Sequence, residues 1–435
     1  MKPTTNKPHC HIHDEVKSWH NVDDIHEKVC TNDLPLTKHI NNKYYCLFHL
    51  PRNDKNTTEF NHAFNKRIAQ VDAQIEKIKK LSKENQQVKK DTIRYDFRYL
   101  WFPDEFSFTH KKFSANVTFS SATFSANAYF SATKFMGEAD YSSTTFAKDV
   151  YFSWAKFEDE NTKIYFYDTK FLGRVDFYNT TFKGYIKFIG EKNNSVFIGE
   201  NSLLSLQEAI IEDVKRFSFD AIRLQPTWFI KTDARKYWFH DCKWEYSNGN
   251  PITARGEVTS LNKFDDVFND SNELLTITCR QLASNAEDNN DYYHASLFRE
   301  IAMESKRLKR YGRVNIFSLH WWYWLSSFYG ERWKRALWVL LAVLFIFAMG
   351  FMQSPFYICP PNIPISQSSQ NNLCETRKLN ISEALRHSLA SATLQNVEYR
   401  KPVTERSETL VLLEKIFAPL QAALLALAIR RKFMR

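Results

Sequence analysis

FSANVTFSSATFSANAYFSATKFMGEADYSSTTFAKDVYFSWAKF, residues 113–157, sets rings at Phe113, Phe119, Phe124, Phe130, Phe135, Tyr141, Phe146, Phe152 and Phe157. The steps alternate between six and five, an eleven-residue repeat. Two residues before these rings a small or β-branched side chain recurs: Val117, Ala122, Ala128, Thr133, Ala139, Thr144, Val150 and Ala155. The register resumes with Thr169/Phe171, Val175/Phe177, Thr180/Phe182 and Ile186/Phe188. Large and small inward residues alternating between polar positions suit a narrow solenoid, whose short rungs bury their apolar residues only against the rungs above and below. A β-sandwich of short strands does not hold one register over so long a stretch.

This pattern resembles the pentapeptide-repeat family, whose five-residue units carry a small residue two before a central Leu or Phe and wind into a right-handed β-helix. Here a sixth residue enters every second unit, with a longer insertion between Phe157 and Phe166, so the number of residues per coil stays open. The expected fold class is mixed: a right-handed β-helix with flanking α-helices and a C-terminal two-helix transmembrane hairpin. The solenoid is expected over 96–250, with its clear repeat over 106–190.

The chain of 435 residues carries a net charge of +10. Residues 104–187 nevertheless hold ten acidic and ten basic side chains, which argues against nucleic acid as the partner of the repeat. The first residues, MKPTTNK, lack the apolar core of a secretory signal.

From Ala336 to Met352 runs ALWVLLAVLFIFAMGFM, preceded by Arg332, Lys334 and Arg335. At 1.5 Å per residue it covers about 26 Å, adequate for a bilayer core once Trp333 is added. A second stretch, Leu410 to Ile429, contains Glu414, Lys415, Pro419 and Gln421 and ends in Arg430, Arg431 and Lys432. It reads as a returning helix, giving a two-span domain over 333–435. Basic clusters at the outer ends place both termini in the cytoplasm and the loop 354–409 outside, in the bacterial inner membrane on the family resemblance below. Cys359 and Cys374 share that loop, where an oxidising compartment permits a disulfide.

Within the loop, Asn380 and Glu383 form a capping-box start to a short helix running to about Thr393. Two spans joined through such a loop resemble the two-helix pore unit of potassium-type channels. The TVGYG filter of that family is replaced by Ser391-Ala392-Thr393-Leu394-Gln395-Asn396-Val397. Thr393, Gln395, Asn396, Glu414, Lys415 and Gln421 are the pore or gate candidates, since ionisable and polar groups in membrane helices usually face a bundle interior or an aqueous path. For Glu414 and Lys415 the alternative is snorkelling at the outer interface. The aromatic run 317–325 fits an interfacial helix over 313–332.

Residues 1–55 are rich in cysteine and histidine. Cys46-Leu47-Phe48-His49 places two zinc-type ligands three apart, a spacing that a tight turn aims at one metal. The favoured structural zinc set is Cys10, Cys30, Cys46 and His49, with His13 and His26 as substitutes; the alternative is reduced cysteines and solvated histidines. Phe60, Phe64, Ile68, Val71, Ile75, Ile78 and Leu81 make an amphipathic helix within 56–95, suited to capping the open end of the solenoid. Residues 270–312 read as a helical hairpin, broken near Asp288-Asn289-Asn290-Asp291.

The order of parts resembles a bacterial family of pentapeptide-repeat membrane proteins with a Cys/His segment and an ion-channel-like end. That resemblance implies a stress or defence effector that permeabilises the inner membrane. No phosphate loop, nucleophile elbow or HExxH is present, so no enzyme is expected. The expected function is an oligomeric membrane pore with a cytosolic solenoid as sensor or assembly domain. The expected partners are membrane lipid, further copies of the chain and a protein on the solenoid, with no small-molecule substrate. The alternative is a membrane-anchored scaffold without conductance. The basic stretch Lys306–Arg310 is better matched to anionic lipid than to nucleic acid.

Overall fold

The computed structural model describes residues 10, 12, 36–38, 43–51, 55–80, 93–190, 202–212, 216–246, 249–264, 270–311, 318–359, 375–395 and 400–433. The chain forms two compact units, Met1–Asn289 and Asn290–Arg435.

The first unit is built on a parallel β-solenoid of about six turns. Phe113 pairs with Phe135 and Phe135 with Phe157, so one coil takes 22 residues, two of the eleven-residue repeats. Every ring and every small residue of the repeat is buried. The rings stack on their counterparts one coil away: Phe130 lies 4.8 Å from both Phe108 and Phe152, with interplanar angles of 9°. The inward threonines satisfy neighbouring backbone, Thr144 Oγ1 donating to the Phe119 carbonyl at 2.8 Å and Thr180 Oγ1 to that of Phe152 at 2.7 Å. Four ladders of strands make a four-sided prism. A corner recurs every eleven residues at Tyr99, His110, Ser121, Ala132, Ser143 and Trp154, all left-handed with φ between 54° and 62°.

Helix α1, Thr57–Lys79, closes one end of the solenoid. Asn56 caps it by accepting from the Thr58 and Glu59 N–H groups. Its Phe60 and Phe64 lie against Phe102 and Phe106 of the first coil, and Asp72 pairs with Lys111 at 3.0 Å. The expected position of this cap holds, although residues 81–92 lie outside the described set.

After the repeat, Phe217–Asp220 and Tyr237–His240 continue one ladder, and Arg223–Leu224 pairs with Lys243–Trp244. Phe217, Leu224, Phe229 and Trp244 are buried as irregular rungs, with Phe239 half-buried. Helices α2, Ala254–Phe264, and α3, Ser271–Asp288, follow. Asn285 on α3 donates from Nδ2 to the carbonyls of Ala234 and Tyr237 at 3.1 and 2.8 Å, so α3 satisfies the last coil. The helical pair expected over 270–312 therefore divides between units: α3 serves the solenoid and α4, Tyr292–Tyr311, belongs to the second unit.

The second unit contains α4, α5 (Leu319–Ser327), α6 (Trp333–Gln353), α7 (Ile381–Ala392) and α8 (Glu405–Phe433). Two of these, α6 and α8, are long and apolar enough to cross a membrane. In each, only 17% of the most apolar window is buried, whereas the core helix of a soluble protein would be mostly covered. They run antiparallel, with Leu410 close to Gly350 and Gln421 bonded to the Ala336 carbonyl. A three-stranded antiparallel sheet of 355–358, 375–378 and 400–402 lies at the C-terminal end of α6.

Candidate metal cluster and membrane unit

Strand Tyr44–Cys46 runs into a tight turn in which both His49 and Leu50 N–H groups reach the Cys46 carbonyl at 3.0 Å. That turn brings His49 Nδ1 to 2.9 Å from Cys46 Sγ and 3.6 Å from Cys10 Sγ. The three ligand atoms lie within 4.8 Å of one another and all three residues are buried, so the group could hold a metal ion. Cys10 Sγ also accepts the Cys46 N–H at 3.4 Å. Burial opposes a charge on His49, but its bonds to Cys10 and Cys46 and their negative charge outweigh it and push its pKa up to about 9. Thiols and imidazoles are the donors of structural zinc sites, which take four of them, and three are brought together here among the described residues. Cys30, His13 and His26, the other expected ligands, lie outside the described residues.

Sequence reasoning missed Lys55. Its Nζ donates to the carbonyls of Leu47 and Phe48 at 3.0 and 3.2 Å, holding the turn from beneath, and burial pulls its pKa down to about 7. The Phe48 carbonyl also accepts the Trp101 N–H at 2.9 Å, which ties the turn to the first coil.

In the second unit the capping box is as expected: Asn380 Oδ1 accepts the Glu383 N–H at 2.9 Å, and Glu383 Oε2 accepts the Asn380 N–H at 3.1 Å. Arg377 reinforces it with two bonds to the Glu383 carboxylate, at 2.8 and 2.7 Å. From this fixed start α7 runs away from the sheet. Its Ser388 hydroxyl contacts the Leu344 carbonyl at 3.0 Å and the Glu414 carboxylate. Leu344 is nine residues from the end of α6, and Glu414 nine from the start of α8. At 1.5 Å per residue both lie about 14 Å along their helices from the ends next to the sheet. The helix α7 thus packs alongside the two apolar helices, within their length. Beside Ser388, the His387 ring lies edge-on to Phe351 and Phe356 at 5.0 and 4.9 Å.

The expected pore residues fall in different places. Thr393 and Gln395 are exposed at the end of α7, where Leu394 turns left-handed with φ 62°. Asn396 lies outside the described residues. Glu414 is fully buried against Ser388, and Lys415 is half-buried. Gln421 donates to the carbonyls of Ser326 and Ala336 at 3.2 and 2.9 Å, which makes it a clamp between α5, α6 and α8. Cys359 is buried and disulfide-bonded; Cys374 lies outside the described residues.

A further polar centre, also missed from sequence, joins the opposite ends of the two apolar helices. Phe328, Tyr329 and Gly330 are successive left-handed residues. The turn delivers Glu331 to Ser296 and Arg299 of α4, at 2.7 and 2.9 Å, and to Arg431 of α8 at 3.2 Å. Compared with family models, with curated proteins and with solved structures, the chain matches none.

Proposed function

We propose that the chain is a membrane pore whose path is completed by several copies, with the solenoid as a sensor or assembly domain. The observation that carries this reading is the depth of α7. Non-helical backbone at mid-membrane is tolerated where it is buried in protein or lines a water-filled cavity. Thr393 and Gln395 are exposed where α7 ends, ahead of the strand 400–402. The C-terminus of α7, with its partial negative charge, points to the same region and favours a cation there.

Two spans and one re-entrant helix do not enclose a channel. Ile381, Leu385, Leu389 and Leu394 leave an exposed apolar face along α7, suited to a neighbouring copy in a symmetric ring. The basic ends of the spans support a topology with both termini in the cytoplasm of a bacterial cell and the sheet outside. Zinc at Cys10, Cys46 and His49, with Cys30 as a fourth ligand, would hold the N-terminal turn. The pentapeptide-repeat resemblance extends the reading to a stress or defence effector without enzymatic activity.

The test is ion flux through liposomes holding the full chain. Flux that changes its cation preference in Gln395→Glu, and is lost in a chain stopped before Trp333, supports a pore. No flux under any voltage or ionic gradient sinks it. That result would favour the anchored scaffold, whose supporting observation is the exposed Trp154 lying edge-on to Tyr178 on the solenoid.

A further inference from the structure

At the N-terminal end of α6 a cavity of about 550 Å³ is lined by Arg332, Lys334, Arg335 and Arg431, together with Tyr292 and Tyr293. Two carboxylates also line it, and both are committed. Glu300 binds Arg332 at 2.9 Å, while Glu331 binds Arg299 and Arg431. Among the described residues neither Lys334 nor Arg335 has a carboxylate at ion-pair distance. The Arg335 guanidinium lies over the rings of Trp324 and Phe328, at 4.8 and 5.4 Å. The cavity therefore carries a surplus of positive charge at the end of two apolar helices.

A second cavity, of about 710 Å³, is lined by apolar side chains of α5, α6 and α8, among them Leu325, Val339, Val343, Phe417 and Leu424. The two meet at one hydrogen bond. Arg335 of the polar wall donates from Nε to the carbonyl of Leu325 of the apolar wall at 3.0 Å. A cationic chamber beside an apolar one matches an amphipathic anion. Basic pockets between membrane helices at headgroup level recognise acidic lipids.

We infer that the second unit binds an anionic phospholipid, its phosphate at Lys334, Arg335 and Arg332 and an acyl chain between α5, α6 and α8. The inference rests on α6 and α8 crossing a bilayer, but not on conductance. Bound to residues of both spans and of α5, the lipid fixes the spacing of the span ends and ties that spacing to leaflet composition.

The experiment uses the full chain, purified in an uncharged detergent and stripped of lipid. Phosphatidylglycerol, phosphatidylcholine or soluble glycerol phosphate is added, and retained ligand is counted by native mass spectrometry. Phosphatidylglycerol should be retained at least tenfold better than phosphatidylcholine. Lys334→Glu should abolish that preference, and Val343→Trp should weaken both lipids by filling the apolar chamber. Equal retention of the two lipids overturns the inference. So does glycerol phosphate competing as well as the lipid with Val343→Trp silent, which would assign the chamber to a soluble phosphate. If a substitution unfolds the protein by circular dichroism, Lys334→Gln at the same exposed position supplies the comparison. Release of the chain from membranes by alkaline carbonate would instead sink the two-span reading.

Discussion

Glu257, near the start of α2, is fully buried, with Oε2 accepting the Thr227 N–H at 3.0 Å and Oε1 without a partner among the described residues. Burial pushes its carboxyl up to about 7, against the lowering effect of its bonds to Thr227 and Tyr246. The folded state thus holds this proton more tightly than the unfolded chain. The associated stability is fully present below the ordinary value of 4.5 and is lost as pH rises toward about 7. Glu257→Gln should flatten the fall in melting temperature across that window; an unchanged slope would remove Glu257 as its cause. Inside the solenoid, Thr144→Val keeps the volume but removes one of the two donors to the Phe119 carbonyl, which retains the Ala122 N–H at 2.8 Å. Denaturant titration should show a loss of about 1 kcal/mol. The inward rings and small residues were legible because their chemistry repeats with position. The left-handed corners were not, since Tyr99, His110, Ala132 and Trp154 carry none of the glycine or asparagine character that usually marks such backbone.

Among elements, α1 was legible from its apolar spacing and its place before the repeat, because an open solenoid end requires a cover. The division of the expected α3 and α4 hairpin was hidden. Both helices are amphipathic, and nothing in their spacing states which surface each apolar face meets. The same limit explains Gln421 and Glu414. Polar residues in an apolar run announce a partner, but whether the partner is water, lipid or a backbone carbonyl depends on the neighbouring helix. At the N-terminal turn, metal removal provides a direct test. A chelator should lower the melting temperature of the wild-type chain and expose Cys10 and Cys46 to thiol reagents. Cys46→Ser should start from the lower value and show no further response. Wild-type protein carrying no metal after expression in zinc-supplemented medium would remove the ion from the account.

For the whole molecule, the order of parts was readable while the coupling within them was not. The apolar runs announced α6 and α8, and the capping box announced α7. The depth of α7, however, is set by the Ser388 contacts with Leu344 and Glu414, residues 44 and 26 positions away. The Glu331 centre likewise draws on α4, the left-handed turn and the end of α8. The ladders of the solenoid show a different economy. Successive pairings step by 22 residues from Phe113 to Phe135, by 25 from Phe157 to Phe182, by 31 from Ile186 to Phe217 and by 20 from Phe217 to Tyr237. The rings still stack across the longer step, Phe152 and Phe177 being 4.9 Å apart. What the prism conserves is therefore the flat side, and the corners act as slack in the thread. A chain built this way can acquire new surface at the Glu158–Thr162 corner, one loop at a time, while the column of rings behind it keeps its alignment.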